Sequence, residues 1–266
     1  MPRLEYPRTA SIDGVLRRLT PRDFELIRLL GRHSMFTLEQ ITALLFTSDR
    51  SARRRLEVLR AMDVVARFRT CVRPGSQAYR YTLGHRGAYL YAAAEGLQSP
   101  RRPAWERRMA ELATSSRSEH LLGVNGFFAR LTAACRRDGT LELAEWLSES
   151  ETAKLTGGLV RPDASGILHG TAGAVEVWFE YDTGTETTER VALKLDRYQE
   201  HLSGWPRTVL FELPSAAREE HLHSAWRTVG QRFPVATTVA GRAADPTAQV
   251  WRVPNQPVLW RLDELP

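Results

Sequence analysis

Cysteine is nearly absent from this chain: Cys71 and Cys135 are the two among 266 residues. Two thiols make neither a disulfide framework nor a cysteine-based zinc site, which argues against a secreted mini-scaffold and a cysteine-type zinc finger. Long apolar runs are missing too, and nothing approaches the roughly 18–20 residues that a membrane span needs. The opening stretch Met1-Pro2-Arg3-Leu4-Glu5-Tyr6 lacks the apolar core of a secretory leader. These absences predict a reducing, cytoplasmic setting and no membrane partner. A glycine-rich phosphate loop and a Gly-x-Ser-x-Gly elbow are also lacking, which argues against a nucleotide-driven motor and an elbow-type hydrolase. What is present is globular material, 42% hydrophobic and 26% charged. The length suits one large domain or two ordinary ones.

Lysine is scarce, with 2 residues against 35 arginines, and the formal net charge of +6 hides an asymmetry. Residues 1–110 hold 21 arginines and 10 acids, an excess of +11, while the remainder carries an excess of −5. A GC-rich coding bias explains arginine in place of lysine, but not the gathering of positive charge in one half. Clustered guanidinium groups attract phosphate whatever the base sequence, so the first half is expected to meet a polyanion.

Local signals in that half are those of three helices and a hairpin. Thr20-Pro21-Arg22-Asp23 opens a helix with a cap, a first-turn proline and an acid that suits the helix dipole, followed by an apolar stripe of Phe24, Leu26, Ile27 and Leu30. Thr37 and Gln40 stand at capping-box spacing before a second helix buried through Ile41, Leu44 and Leu45. Ser48 opens a third, to about Met62. Ala52, Leu56 and Leu59 make its core stripe, Arg50, Arg53, Arg54 and Arg60 point away, and Arg55 lies between. Two strand-like runs follow, Val64–Val72 and Ala78–Leu83, joined across Pro74-Gly75, with Arg67, Arg69 and Arg73 along the hairpin and at its tip. Three helices and a hairpin describe a winged helix-turn-helix, with an arginine-dense third helix suited to phosphates and guanine edges. The expected partner is double-stranded DNA. The amphipathic stretch His85–Glu95 closes this domain or serves a homodimer.

Gln98-Ser99-Pro100-Arg101-Arg102-Pro103 reads as a linker, giving domains at 1–97 and 111–266 with 98–110 between. The second domain is expected to run as a helix over Ser116–Arg137, strand candidates at Leu141–Leu147, Leu159–Ala164 and Ala174–Asp182, a helix to about Leu202, a strand at Thr208–Pro214, a helix at Ala217–Gly230 and a strand at Val235–Val239. That order describes an α/β sandwich around a central mixed sheet.

Glu180 and Asp182 fall two apart on one strand and so share a face. Pro162-Asp163 precedes them closely enough for a hairpin to bring Asp163 alongside. Three hard carboxylates in one place suit Mg²⁺ or Mn²⁺, which could lower the pKa of a water and stabilise phosphoryl charge. On the following helix Arg190, Lys194, Arg197 and His201 form a stripe that could track phosphates.

Pro162-Asp163 and Glu180-Tyr181-Asp182 resemble the half-motifs of the restriction-endonuclease-like PD-(D/E)xK fold, with Asp182 standing where that pattern has lysine. The resemblance implies Asp163, Glu180 and Asp182 as metal ligands and catalytic acids, with Lys194 on the next helix in the migrated lysine's role. Leu19-Thr20-Pro21-Arg22-Asp23, Arg53-Arg54-Arg55-Leu56, His120-Leu121-Leu122-Gly123-Val124-Asn125, Gly158–Asp163, Glu180–Glu186 and Lys194-Leu195-Asp196-Arg197-Tyr198 together resemble the replication-relaxation family of actinobacterial plasmids and mobile elements. That likeness implies a DNA-associated role in replication or transfer. The alternative is a winged-helix transcription regulator whose nuclease-like domain is inactive and serves dimerisation or ligand binding.

Overall fold

The computed structural model describes residues 11–69, 77–170, 173–201, 207–229 and 234–265. The chain is mixed α/β and divides into two compact units, Met1–Asn125 and Gly126–Pro266. The division falls inside one helix, downstream of the 98–110 segment where the sequence suggests a linker.

The first unit begins with the short helix α1 (Ile12–Leu16) and continues through α2 (Pro21–His33), β1 (Phe36–Thr37), α3 (Leu38–Leu45) and α4 (Asp49–Ala61). Strands β2 (Val65–Phe68) and β3 (Arg80–Leu83) and helices α5 (His85–Ala94) and α6 (Arg102–Thr114) follow. The capping signals act as their chemistry requires. Thr37 Oγ1 accepts from the Gln40 amide at 3.2 Å while Gln40 Oε1 accepts from the Thr37 amide at 3.0 Å, and Ser48 caps α4 through the Ser51 amide. Leu26, Ile27 and Leu30 of α2, Ile41 and Leu44 of α3, and Ala52, Leu56 and Leu59 of α4 are buried together. Each such leucine or isoleucine contributes about 2 kcal/mol by leaving water. Phe24 departs from the expected stripe and is exposed. The three strands form one antiparallel sheet in the order β1-β3-β2, with Phe36 opposite Tyr81 and Phe68 opposite Arg80. The hairpin tip, with Cys71, Arg73 and Pro74-Gly75, lies outside the described residues.

Helix α6 occupies most of the segment read as a linker. Its Pro103 sits in the first turn, where a missing amide proton costs nothing. Trp105 anchors it, buried and donating its indole N–H to the Leu83 carbonyl at 3.0 Å.

Helix α7 (Ser118–Asp138) carries the unit boundary. In the first unit its Asn125 side-chain amide donates to the carbonyls of His33 and Met35. The second unit continues with β4 (Glu142–Ser148), α8 (Glu149–Leu155), β5 (Ala164–Gly170), β6 (Gly173–Tyr181), α9 (Thr188–His201), β7 (Arg207–Leu213), α10 (Ala216–Val229), β8 (Val235–Val239), β9 (Trp251–Arg252) and β10 (Leu259–Trp260). The strand candidate at Leu159–Ala164 is shifted: the strand begins at Ala164 and runs to Gly170, rather than ending at Ala164. The sheet has 7 strands in the order β10-β9-β8-β7-β6-β5-β4. Strands β4, β5 and β6 form an antiparallel meander, and β7 and β8 extend it in parallel after the α9 and α10 crossovers.

Alternation along β6 sorts its side chains onto two faces. Phe179 stacks on Phe127 of α7 with ring centroids 3.9 Å apart. Trp178, on the opposite face, meets Tyr198 of α9 edge-on at 5.1 Å and joins a core with Val191, Leu195, Phe211, Leu222 and Trp226. The sheet is therefore covered by α7 on one side and by α9 and α10 on the other. Glu180, two residues beyond Trp178, faces the same layer as α9.

Candidate functional site

Two places gather the residues that the sequence singles out, one in each unit.

In the first unit the arginines of α4 and its hairpin fall into two groups. Arg55 is engaged internally: its Nε donates to Asp23 Oδ1 at 2.9 Å, and a second nitrogen reaches the Arg18 carbonyl at 2.8 Å. Asp23 is buried and also accepts from the Thr20 amide at 2.6 Å and hydroxyl at 2.7 Å. Burial alone would raise its pKa, but the Arg55 and Thr20 hydrogen bonds outweigh it and hold the carboxyl below its ordinary value. Arg60 and Arg67 both bond Glu57, Arg67 at 2.7 Å, and Arg67 also lies over the Tyr79 ring at 4.1 Å. Arg69 is exposed and stands 5.1 Å from that ring. Arg50, Arg53 and Arg54 are exposed and have no partner among the described residues. The α4 surface thus combines three unneutralised guanidinium groups with a hairpin base held by a Glu57-bridged pair of arginines. Arg73 lies outside the described residues.

In the second unit the structure brings Asp163, Glu180 and Lys194 into one neighbourhood and directs Asp182 elsewhere. Asp163 immediately precedes β5, and its Oδ2 accepts the Tyr181 amide at 2.9 Å, which ties the start of β5 to the end of β6. Glu180 is buried, with Lys194 Nζ donating to its Oε2 and Tyr198 Oη to its Oε1. Lys194 and Tyr198 are one turn apart on α9, so one helix face supplies both donors. Tyr198 is a site residue that the sequence motifs do not single out; its i, i+4 relation to Lys194 is the signal that could have found it. Asp182 turns to other donors: Arg218 Nε at 2.7 Å and the Gly184 amide at 2.7 Å, with Arg218 also reaching the Glu186 carbonyl at 2.6 Å. No sequence pattern marks Arg218, which arrives from α10.

The electrostatics follow from burial. Desolvation, with the Asp163 charge nearby, pushes the Glu180 carboxyl up to about 8 despite Lys194 and Tyr198. Burial would lower Lys194, yet the charges of Glu180 and Asp163 outweigh it and keep the ammonium above its ordinary range. Tyr198 is raised by burial and by Glu180, so it remains a hydrogen-bond donor. Burial thus holds back the ionisation of Glu180, while Lys194 keeps its positive charge beside it.

Both Glu180 oxygens already accept from Lys194 and Tyr198, and both Asp182 oxygens accept from Arg218 and Gly184. Among the described residues no group of three His, Cys, Asp or Glu side chains is placed to hold a metal ion. As arranged, Asp163, Glu180 and Asp182 do not fit Mg²⁺ or Mn²⁺: a lysine ammonium stands at the carboxylate where the ion would bind.

On α9, Arg190 and Arg197 are exposed. His201, the last member of that stripe, lies outside the described side chains. No described helix is long and apolar enough to cross a membrane.

A family model described as replication-relaxation matches residues 27–211, more than half of the chain. No curated protein and no solved structure matches it.

Proposed function

Since the chain belongs to the replication-relaxation family, we propose that it is a cytoplasmic DNA-binding protein acting in the replication or transfer of a plasmid or other mobile element. In this reading the first unit is a winged helix. Helix α4 enters the major groove of duplex DNA and the β2–β3 hairpin rests on the backbone. The observation that carries the reading is the sorting of arginines: Arg50, Arg53 and Arg54 stand exposed and unpartnered among the described residues, whereas Arg55, Arg60 and Arg67 are held by Asp23 and Glu57. Holding an unneutralised cationic row on a helix is unfavourable by self-repulsion alone, and phosphate relieves it. Arg55 acts through Asp23 to fix α4 against α2. Titrating a labelled duplex with the full chain and with an R53A/R54A variant tests this. The variant is expected to bind at least tenfold more weakly, and equal affinity would overturn the reading.

A second reading, metal-dependent nicking by a nuclease-like second unit, has one observation in its favour. The helix–meander–helix–strand order sets Asp163 beside Glu180 at adjacent strand ends and brings Lys194 onto Glu180. The occupied carboxylates count against it. Supercoiled plasmid incubated with the protein and Mg²⁺ or Mn²⁺ separates the two. Nicking that Asp163→Ala abolishes supports cleavage, and intact plasmid under both cations favours a unit that serves binding or dimerisation.

A further inference from the structure

The second unit carries an excess of acid, and most of its described cations are engaged internally, from Arg130 on Glu212 and Arg137 on Asp245 to Arg261 on Asp138. The exceptions are Lys154, Arg161, Arg190 and Arg197, each exposed and without a partner among the described residues. They are not scattered. Arg190 and Arg197 lie one turn before and one turn after Lys194 on the α9 face that reaches Glu180. Arg161 is two residues before Asp163, whose charge acts on both Glu180 and Lys194. Lys154 is near the end of α8, which is tied to the start of β5 by the Thr152–Ser165 hydroxyl contact at 2.9 Å.

From this arrangement we propose that the rim of the Asp163–Glu180–Lys194 cluster is a second DNA-contact surface, on which Arg190, Arg197 and Arg161 hold the phosphate backbone of a duplex. The proposal extends the DNA-binding reading to a surface separate from α4. The chemistry is that of phosphate recognition: guanidinium forks free of internal carboxylates are available to bond phosphate oxygens. Arg190 and Arg197 are separated by about 10 Å along the helix. That is the axial span of about three phosphates of one strand. Lys194 is engaged with Glu180 and offers a polyanion no free charge. Free cations are therefore needed on its rim if DNA approaches there, and the rim is where this unit leaves them free.

The test is the salt dependence of binding to a labelled 40-bp duplex by the full chain, read by anisotropy across a salt series. Four proteins are compared: wild type, R190A/R197A, R53A/R54A, and an R137A/R227A control that removes the same net charge from paired positions. Two lost phosphate contacts should reduce the slope of log K against log salt by about 1.8, so R190A/R197A is expected to flatten it by that amount while R137A/R227A leaves it near wild type. A slope unchanged in R190A/R197A but flattened in R53A/R54A would overturn this surface and leave the DNA-binding reading standing. Equal effects of R190A/R197A and R137A/R227A would reduce it to net charge and overturn it as well. A slope flattened by R190A/R197A alone supports this surface and removes α4 from the contact. If neither arginine pair affects the slope, both fail.

Discussion

Replacing Glu180 by glutamine keeps the shape of the buried side chain and removes its titration. In the folded chain this carboxyl is pushed from 4.5 up to about 8 by burial and by Asp163. Between those values the native state holds a proton that the unfolded chain has lost. Stability must therefore fall as pH rises through the window, is unaffected below 4.5, and reaches its full loss above 8. At about 1.4 kcal/mol per unit the loss is at most about 5 kcal/mol. His33 and His223 act in the opposite sense: burial lowers both, His223 to about 4, so stability attributable to them rises with pH up to the ordinary histidine value of 6.5. They are unchanged in the variant, so the difference between the two proteins isolates Glu180. Urea unfolding followed by intrinsic fluorescence at pH 5 to 8.5 reads it. The transition of the second unit is identified by its displacement in Phe127→Ala, which removes the ring stacked on Phe179 and should cost about 3–5 kcal/mol. Relative to wild type, E180Q is expected to gain stability steadily with pH, by several kcal/mol across the range. A difference independent of pH would refute a buried, proton-holding Glu180.

Arg55→Ala leaves the buried Asp23 carboxylate without its guanidinium and should cost about 3–5 kcal/mol in the unfolding of the first unit, a loss that a surface arginine would not produce. Arg55→Lys should recover only part of it, because an ammonium lacks the two-pronged geometry. Gly87→Ala in α5 would drive a Cβ into the Val64 carbonyl oxygen, so a loss of at least 1–3 kcal/mol is expected by thermal melting, where an ordinary helical Gly→Ala change would stabilise. Each is refuted by a change below about 0.5 kcal/mol.

The elements with strong local chemistry were legible in the chain. Caps at Thr20, Thr37 and Ser48 and the stripe Ala52–Leu56–Leu59 give α2, α3 and α4 with no tertiary information. Others were hidden for definable reasons. Strand β5, Ala-Ser-Gly-Ile-Leu-His-Gly, is poor in β-formers because its small residues lie under larger neighbours: a Cβ at Gly166 would come within 3.2 Å of the Phe128 ring and 3.3 Å of the Glu145 carbonyl. Two prolines and several arginines disguised α6, which is fixed by a tertiary anchor, Trp105. Helix α8 carries the capping-box pair Ser148 and Glu151, but its 7 residues are too few to show an apolar stripe. In the second unit, strand alternation correctly put Glu180 and Asp182 on one side but could not show which donors each would meet. Lys194 and Tyr198 come from the crossover helix and Arg218 from the next. These long-range pairings decide that the cluster is Asp163–Glu180–Lys194 rather than three carboxylates.

The central claim is that unneutralised arginines of α4 bind duplex DNA through its phosphates. The most direct measurement is the slope of log affinity against log salt for the full chain and an R50A/R53A/R54A variant on the same duplex, between 50 and 200 mM salt. Three lost phosphate contacts predict a slope shallower by about 2.7 in the variant, with weaker binding at every salt. Identical slopes and affinities for the two proteins would contradict the account.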